Sequence, residues 1–166
     1  LYWLPQSLPF LHLGETRYHP LQAIECMDQA KLAVLPANIA AYKNTATKIQ
    51  QTLKSMIREL GPASGVIDLP SVCGIPENRR LLRYPVLVNR SLRDRLCHKL
   101  QNMGLGASTM YPAALSDLPG MEAILSGQTS FPAAEAFAER ILTLPTHTHV
   151  RIKDVESIRQ VMSTSR

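Results

Sequence analysis

The chain has 166 residues, of which 45% are hydrophobic, 19% charged and 5% aromatic, with a formal net charge of +5. A chain of this size buries roughly 70% of the surface its unfolded form exposes, so its core requires neither disulfide nor metal. Its longest apolar stretches fall short of the about 20 residues that cross a bilayer, and its apolar content excludes a disordered tail.

The placement of the charge matters more than its size. Between Glu77 and Lys99 lie seven basic residues (Arg79, Arg80, Arg83, Arg90, Arg93, Arg95 and Lys99) and two acidic ones, so this stretch carries the whole excess. Such a cluster attracts phosphate. Tyr84 is its one aromatic residue and no nucleic-acid motif accompanies it, so a solvated face is expected and nucleic acid is not the expected partner. Cys26, Cys73 and Cys97 are odd in number and unpaired in spacing, as in a reduced cytoplasmic protein. Residues 1–13 are apolar but lack an initiator Met and a basic flank, and Pro5 and Pro9 interrupt them. They read as the middle of a longer protein, not as a signal peptide.

In chain order, residues 20–35 carry a helical pattern with Pro20 suited to the first turn, and Pro36 is expected to break or restart the helix. A second helix is expected to run to Leu60. Its apolar positions Ile39, Tyr42, Ala46, Ile49, Leu53, Met56 and Leu60 alternate by three and four, which predicts one continuous stripe packed on the chain's own core or an adjoining domain, with part of it facing water where that domain is absent. Residues 61–65 hold two glycines and a proline and form the expected boundary. Beyond it, residues 66–69 and 81–88 read as strands, the second pushed to a sheet edge or a bulge by Pro85. Ser91 is the expected cap of a helix over 92–103 that Gly104 ends. Residues 105–111 read as a strand and 112–127 as loop with at most a helical turn. A helix over 132–141, a strand at 142–144 and an amphipathic helix over 153–162 close the chain. The expected fold class is α/β (α+β), a small sheet with helices on one face. The expected division is 1–65, a connecting segment with long helices, and 66–166, a small α/β domain.

Motifs for common chemistry are few. There is no nucleophile elbow, phosphate-binding loop or zinc-protease motif, and the glycines of residues 103–107 follow a helix, as a helix stop does. His147 and His149 would share one side of a strand, but no third ligand stands near them in sequence, so exposed loop histidines and no metal are expected. Cys97 and His98, adjacent on a helix, point about 100° apart and make no nucleophile–base pair.

Four collinear segments resemble one family. Gly14-Glu-Thr-Arg-Tyr-His-Pro-Leu-Gln-Ala23 is similar to the segment that leads into the long helices of the DegT/DnrJ/StrS sugar aminotransferases. Residues 83–88 resemble the first strand of that family's C-terminal domain, and residues 92–111 its helix and tyrosine-bearing loop. Residues 131–147 resemble its "P-x-A-E-x-x-A-x-R-x-L-x-L-P-x-H" run, the most specific of the four, and the last helix fits the family's closing helix. The resemblance spans roughly residues 12–162.

It implies the small C-terminal domain of the fold-type I aspartate-aminotransferase fold and a pyridoxal-phosphate enzyme, usually a homodimer. Such an enzyme moves an amino group from an amino acid to a nucleotide-linked keto sugar, for polysaccharide or secondary-metabolite sugars. The alternative is a non-catalytic, degenerate homologue serving as an interaction module. None of the six lysines has the family's serine-aromatic-x-x-x-lysine context, so the resemblance implies cofactor only in a longer protein and none on this piece. By the same resemblance, Arg17 and Glu15 occupy the cofactor-phosphate positions, Glu15 replacing the family's asparagine with a charge that repels phosphate. Tyr111 and Met110 occupy the sugar-binding positions. Met110 replaces a histidine with a side chain that makes no comparable hydrogen bond.

Overall fold

The computed structural model describes residues 27–44, 47–111, 113–121, 124, 125, 127 and 130–164. Its elements in order are α1 (Gln29–Asn44), α2 (Lys48–Leu60), a 3-10 turn (Pro62–Ser64), β1 (Ile67–Asp68), α3 (Leu69–Val72), β2 (Arg83–Leu87), α4 (Arg90–Asn102), a 3-10 turn (Leu115–Asp117), α5 (Pro132–Ala138), β3 (Ile141–Pro145) and α6 (Ile152–Thr164). The three strands form one antiparallel sheet in the order β1-β2-β3, with Tyr84 opposite Leu144 and Val86 opposite Leu142.

Alternation along the strands sends Tyr84, Val86, Val88, Leu142 and Leu144 to one face, where they join the main core. The helices that cover this face are α2 (Leu53, Met56, Ile57), α4 (Leu96, Cys97, Leu100) and α6 (Val155, Ile158, Val161, Met162). Each presents residues three and four apart, the spacing that makes one helical stripe. Thus α2 shares a core with residues beyond Gly65. By contrast, α1 carries Leu32, Val34, Leu35, Ile39 and Tyr42 exposed.

Pro85 sits in the central strand, not at an edge. Two facts make room for a residue without an N–H. Its partner Thr143 directs its own N–H and C=O away from β2, to Ser108 at 2.8 and 3.0 Å. Pro85 therefore faces the β1 side, and β1 pairs only with Val86 and Leu87 before the chain turns into α3. No ladder bond is lost there.

Other expectations are also corrected. Pro36 lies inside α1 and does not break it. The carbonyl of Leu32, which Pro36 leaves without its helical donor, is on an exposed turn open to water. The continuous helix expected over 37–60 is two, because α1 ends at Asn44 and α2 begins at Lys48. Its stripe divides with it. Ile39 and Tyr42 are exposed while Leu53 and Met56 are buried, and Gln50 and Ile57, outside the expected stripe, are buried too.

Asn89, not Ser91, caps α4, its Oδ1 accepting the Ser91 N–H at 3.2 Å. The strand expected over 105–111 is reduced to a bridge between Ser108 and Thr143. Residues 20–26 of the first expected helix, and Ala46, lie outside the described residues.

Candidate functional site

The loop over residues 105–111 is fixed from three directions. Gly104, in the left-handed region at φ 70°, ends α4, and Leu105 donates its N–H back to the Leu100 carbonyl at 2.9 Å. Gln101 then donates Nε2–H to the Ala107 carbonyl at 3.1 Å. On the β3 side, Ser108 and Thr143 exchange both backbone bonds.

From β2, Arg83 reaches over Thr143. Its Nε–H donates to Thr143 Oγ1 at 2.7 Å, and its Nη2 donates to the carbonyls of Gly106 and Thr143 at 2.5 and 3.0 Å. Thr143 Oγ1 donates in turn to the Ser108 carbonyl at 3.0 Å. A guanidinium with its donors in one rigid plane suits this task, since one side chain ties a strand and a loop together.

The anchored loop presents Met110 and Tyr111, which are 53% and 54% exposed. Met110 is the one non-glycine residue at positive φ among the described residues, at 61°. Its N–H is satisfied by Ser108 Oγ at 3.0 Å, and the Tyr111 N–H by the Thr109 carbonyl at 2.6 Å. A phenol hydroxyl held out on a braced loop both donates and accepts hydrogen bonds, as recognition of a polyhydroxylated ligand requires. Beneath lies Cys97, whose thiol is pushed above the ordinary range, chiefly by burial. Burial of that kind makes a thiol inert.

Of the residues assigned by resemblance, Tyr111 and Met110 are thus neighbours on one loop, and Arg17 and Glu15 lie outside the described residues. The supports Arg83, Thr143, Ser108 and Gln101 carry no sequence signal of this role. Arg83 and Thr143 stand 60 positions apart and meet only through strand pairing.

The remaining features are less built. His147 and His149 are exposed, with ring centroids 5.9 Å apart and planes 59° apart. Desolvation lowers the His147 pKa, assisted by the charges of His149 and Arg83. Among the described residues no three His, Cys, Asp or Glu side chains come together to hold a metal ion.

The basic stretch is partly internal. Arg80 donates to the Tyr42 carbonyl, Arg93 to the Ala138 carbonyl, and Arg90 pairs with Glu139.

A pyridoxal-phosphate site needs a lysine held in a pocket free of competing carboxylates, with a phosphate cradle beside it. Lys54, the most enclosed of the six, lines a cleft of about 230 Å³ but is ion-paired to Glu77 at 2.8 Å. Lys31 pairs with Asp28 at 2.9 Å, and Lys43, Lys48, Lys99 and Lys153 are exposed. The described residues do not fit that cofactor by themselves.

The profile of the DegT/DnrJ/EryC1/StrS aminotransferase family matches residues 22–163, a span that contains both the core and the Tyr111 loop. The chain belongs to that family, whose members depend on pyridoxal phosphate. Among solved structures, it is similar to a DegT/DnrJ/EryC1/StrS aminotransferase from Brucella abortus, at 22% identity and a TM-score of 0.49. That likeness covers 95% of this chain and 41% of the other, so the chain spans about two-fifths of its length. No curated protein matches. No helix among the described residues is long and apolar enough to cross a membrane.

Proposed function

We propose that this chain works as the small domain of a cytoplasmic, homodimeric sugar aminotransferase. In this reading residues 1–65 connect and 66–166 form the domain, with α2 completing its core. The fold-type I arrangement, the amino donor and the nucleotide-linked keto sugar all belong to the proposal. The family match over residues 22–163 is the observation that carries it. Tyr111 on its braced loop faces the sugar, Met110 shapes the same surface, and Arg17 with Glu15 borders the cofactor phosphate of the neighbouring subunit. Pyridoxal phosphate, when bound in the whole enzyme, supplies the electron sink. The residues of this chain contribute binding and orientation.

The test uses the protein as the producing cell makes it, isolated with an antibody raised against this domain. That protein should release pyridoxal phosphate on acid treatment and convert a nucleotide-linked keto sugar to the amine with glutamate as donor. Tyr111→Ala should raise KM for the sugar more than for glutamate. A protein free of pyridoxal phosphate and inactive would replace this reading with the second one. That second reading, a non-catalytic interaction module, is favoured by one observation, the exposed apolar residues of α1.

A further inference from the structure

We propose that the groove between the last turn of α2 and the first residue of α4 binds a phosphate-bearing small molecule. The groove has a volume of about 850 Å³, within the size class of small-molecule sites. It lies at the β1 edge of the sheet, whereas the Tyr111 loop is attached beyond β3 through Ser108. The two are separate sites, and this inference does not rest on the aminotransferase reading.

The lining is of two kinds. Ile57, Val66 and Ile67 supply apolar wall, and Arg58, Arg90 and Arg140 stand along it from three different parts of the chain. Arg58 also borders the cleft that holds Glu77, and its charge acts on Glu77 and Tyr84 from there. Arg140, which also lines the groove, donates its Nε–H to the Val88 carbonyl at 3.2 Å, a bond that holds the side chain beside it. Arg90 is ion-paired with Glu139 at 2.5 Å, a carboxylate that does not line the groove.

The one carboxylate lining the groove is Asp68. Its oxygens accept the hydroxyls of Tyr84 and Ser71 at 2.7 and 2.6 Å, so it is held by neutral donors and not by the arginines.

Three guanidiniums along one groove suit an anion with several oxygens pointing in different directions. A phosphate has that shape, whereas a planar carboxylate is filled by a single guanidinium fork. The apolar wall accepts the organic body that carries the phosphate.

The probe is adenosine diphosphate, titrated into the full isotope-labelled chain, with adenosine and citrate as controls. Saturable one-to-one binding is expected, with amide shifts centred on Arg58, Val66, Ile67 and Asn89 and with affinity that falls as salt rises. Arg58 is exposed, so Arg58→Gln should change the unfolding midpoint little and weaken binding at least tenfold. Arg140→Gln should weaken binding as well. Failure to saturate, equal binding by Arg58→Gln, shifts centred elsewhere, or equally tight binding of adenosine or citrate would each overturn the proposal.

Discussion

Gln50 on α2 accepts the backbone N–H of Leu81 at 3.0 Å, while its Nε2 donates to the Arg79 carbonyl at 2.9 Å. One buried amide thus closes both polar groups of the chain entering β2. Gln50→Leu keeps the volume but leaves that N–H and carbonyl without partners. It should cost about 1–3 kcal/mol, read as a lower urea midpoint with unchanged m-value. An unchanged midpoint would mean that water takes over both bonds.

The divided stripe is tested by two truncations. Leu53 is fully buried, so Leu53→Ala should cost about 2–5 kcal/mol. Ile39 is 44% exposed on α1, and Ile39→Ala should stay within about 0.5 kcal/mol. Equal losses at the two positions would show that both halves share one interior.

Arg83→Met removes the guanidinium that joins β2, β3 and the 105–111 loop. We expect a loss of about 1–3 kcal/mol, since the carbonyls of Gly106 and Thr143 each lose a donor. Amide exchange at Ser108, Met110 and Tyr111 should accelerate more than at Val86 in the core. Uniform acceleration across the domain would argue against a local brace.

Met110 sits at φ 61°, a region that costs a side-chain-bearing residue about 1–2 kcal/mol. Glycine relieves that strain and loses part of the gain to the entropy of its unfolded state. Met110→Gly should therefore raise stability by up to about 1 kcal/mol, checked by thermal unfolding. Destabilisation by this change would show that the exposed methionine side chain packs on the loop in solution.

Because partial desolvation, with the charges of His149 and Arg83, lowers the His147 pKa, the folded protein binds the proton less readily than the unfolded chain. The neutral form is favoured by folding, so its contribution is fully present above the ordinary histidine value of 6.5. It is lost as pH falls from there through the lower folded value. His147→Gln should flatten the decline in stability below pH 6.5, compared by urea unfolding at several pH values. An identical slope in the variant would assign the decline to other groups.

Much of the fold is legible in the sequence because its signals are local. Glycines and Pro62 mark the turn after Leu60, the apolar alternation around Val86 marks β2, and Val155, Ile158 and Met162 at helical spacing mark the buried face of α6. The order of short motifs was also enough to indicate the family, since each motif is contiguous in the chain. Tertiary structure decided the rest. Pro85 is central because β1 stops short of it, Gln50 is buried because two polar groups 29 and 31 positions away need its amide, and Arg83 braces the Tyr111 loop across 60 positions. Those relationships depend on which strands pair and which helices cover them, and no local propensity encodes a contact between residues that distant in the chain.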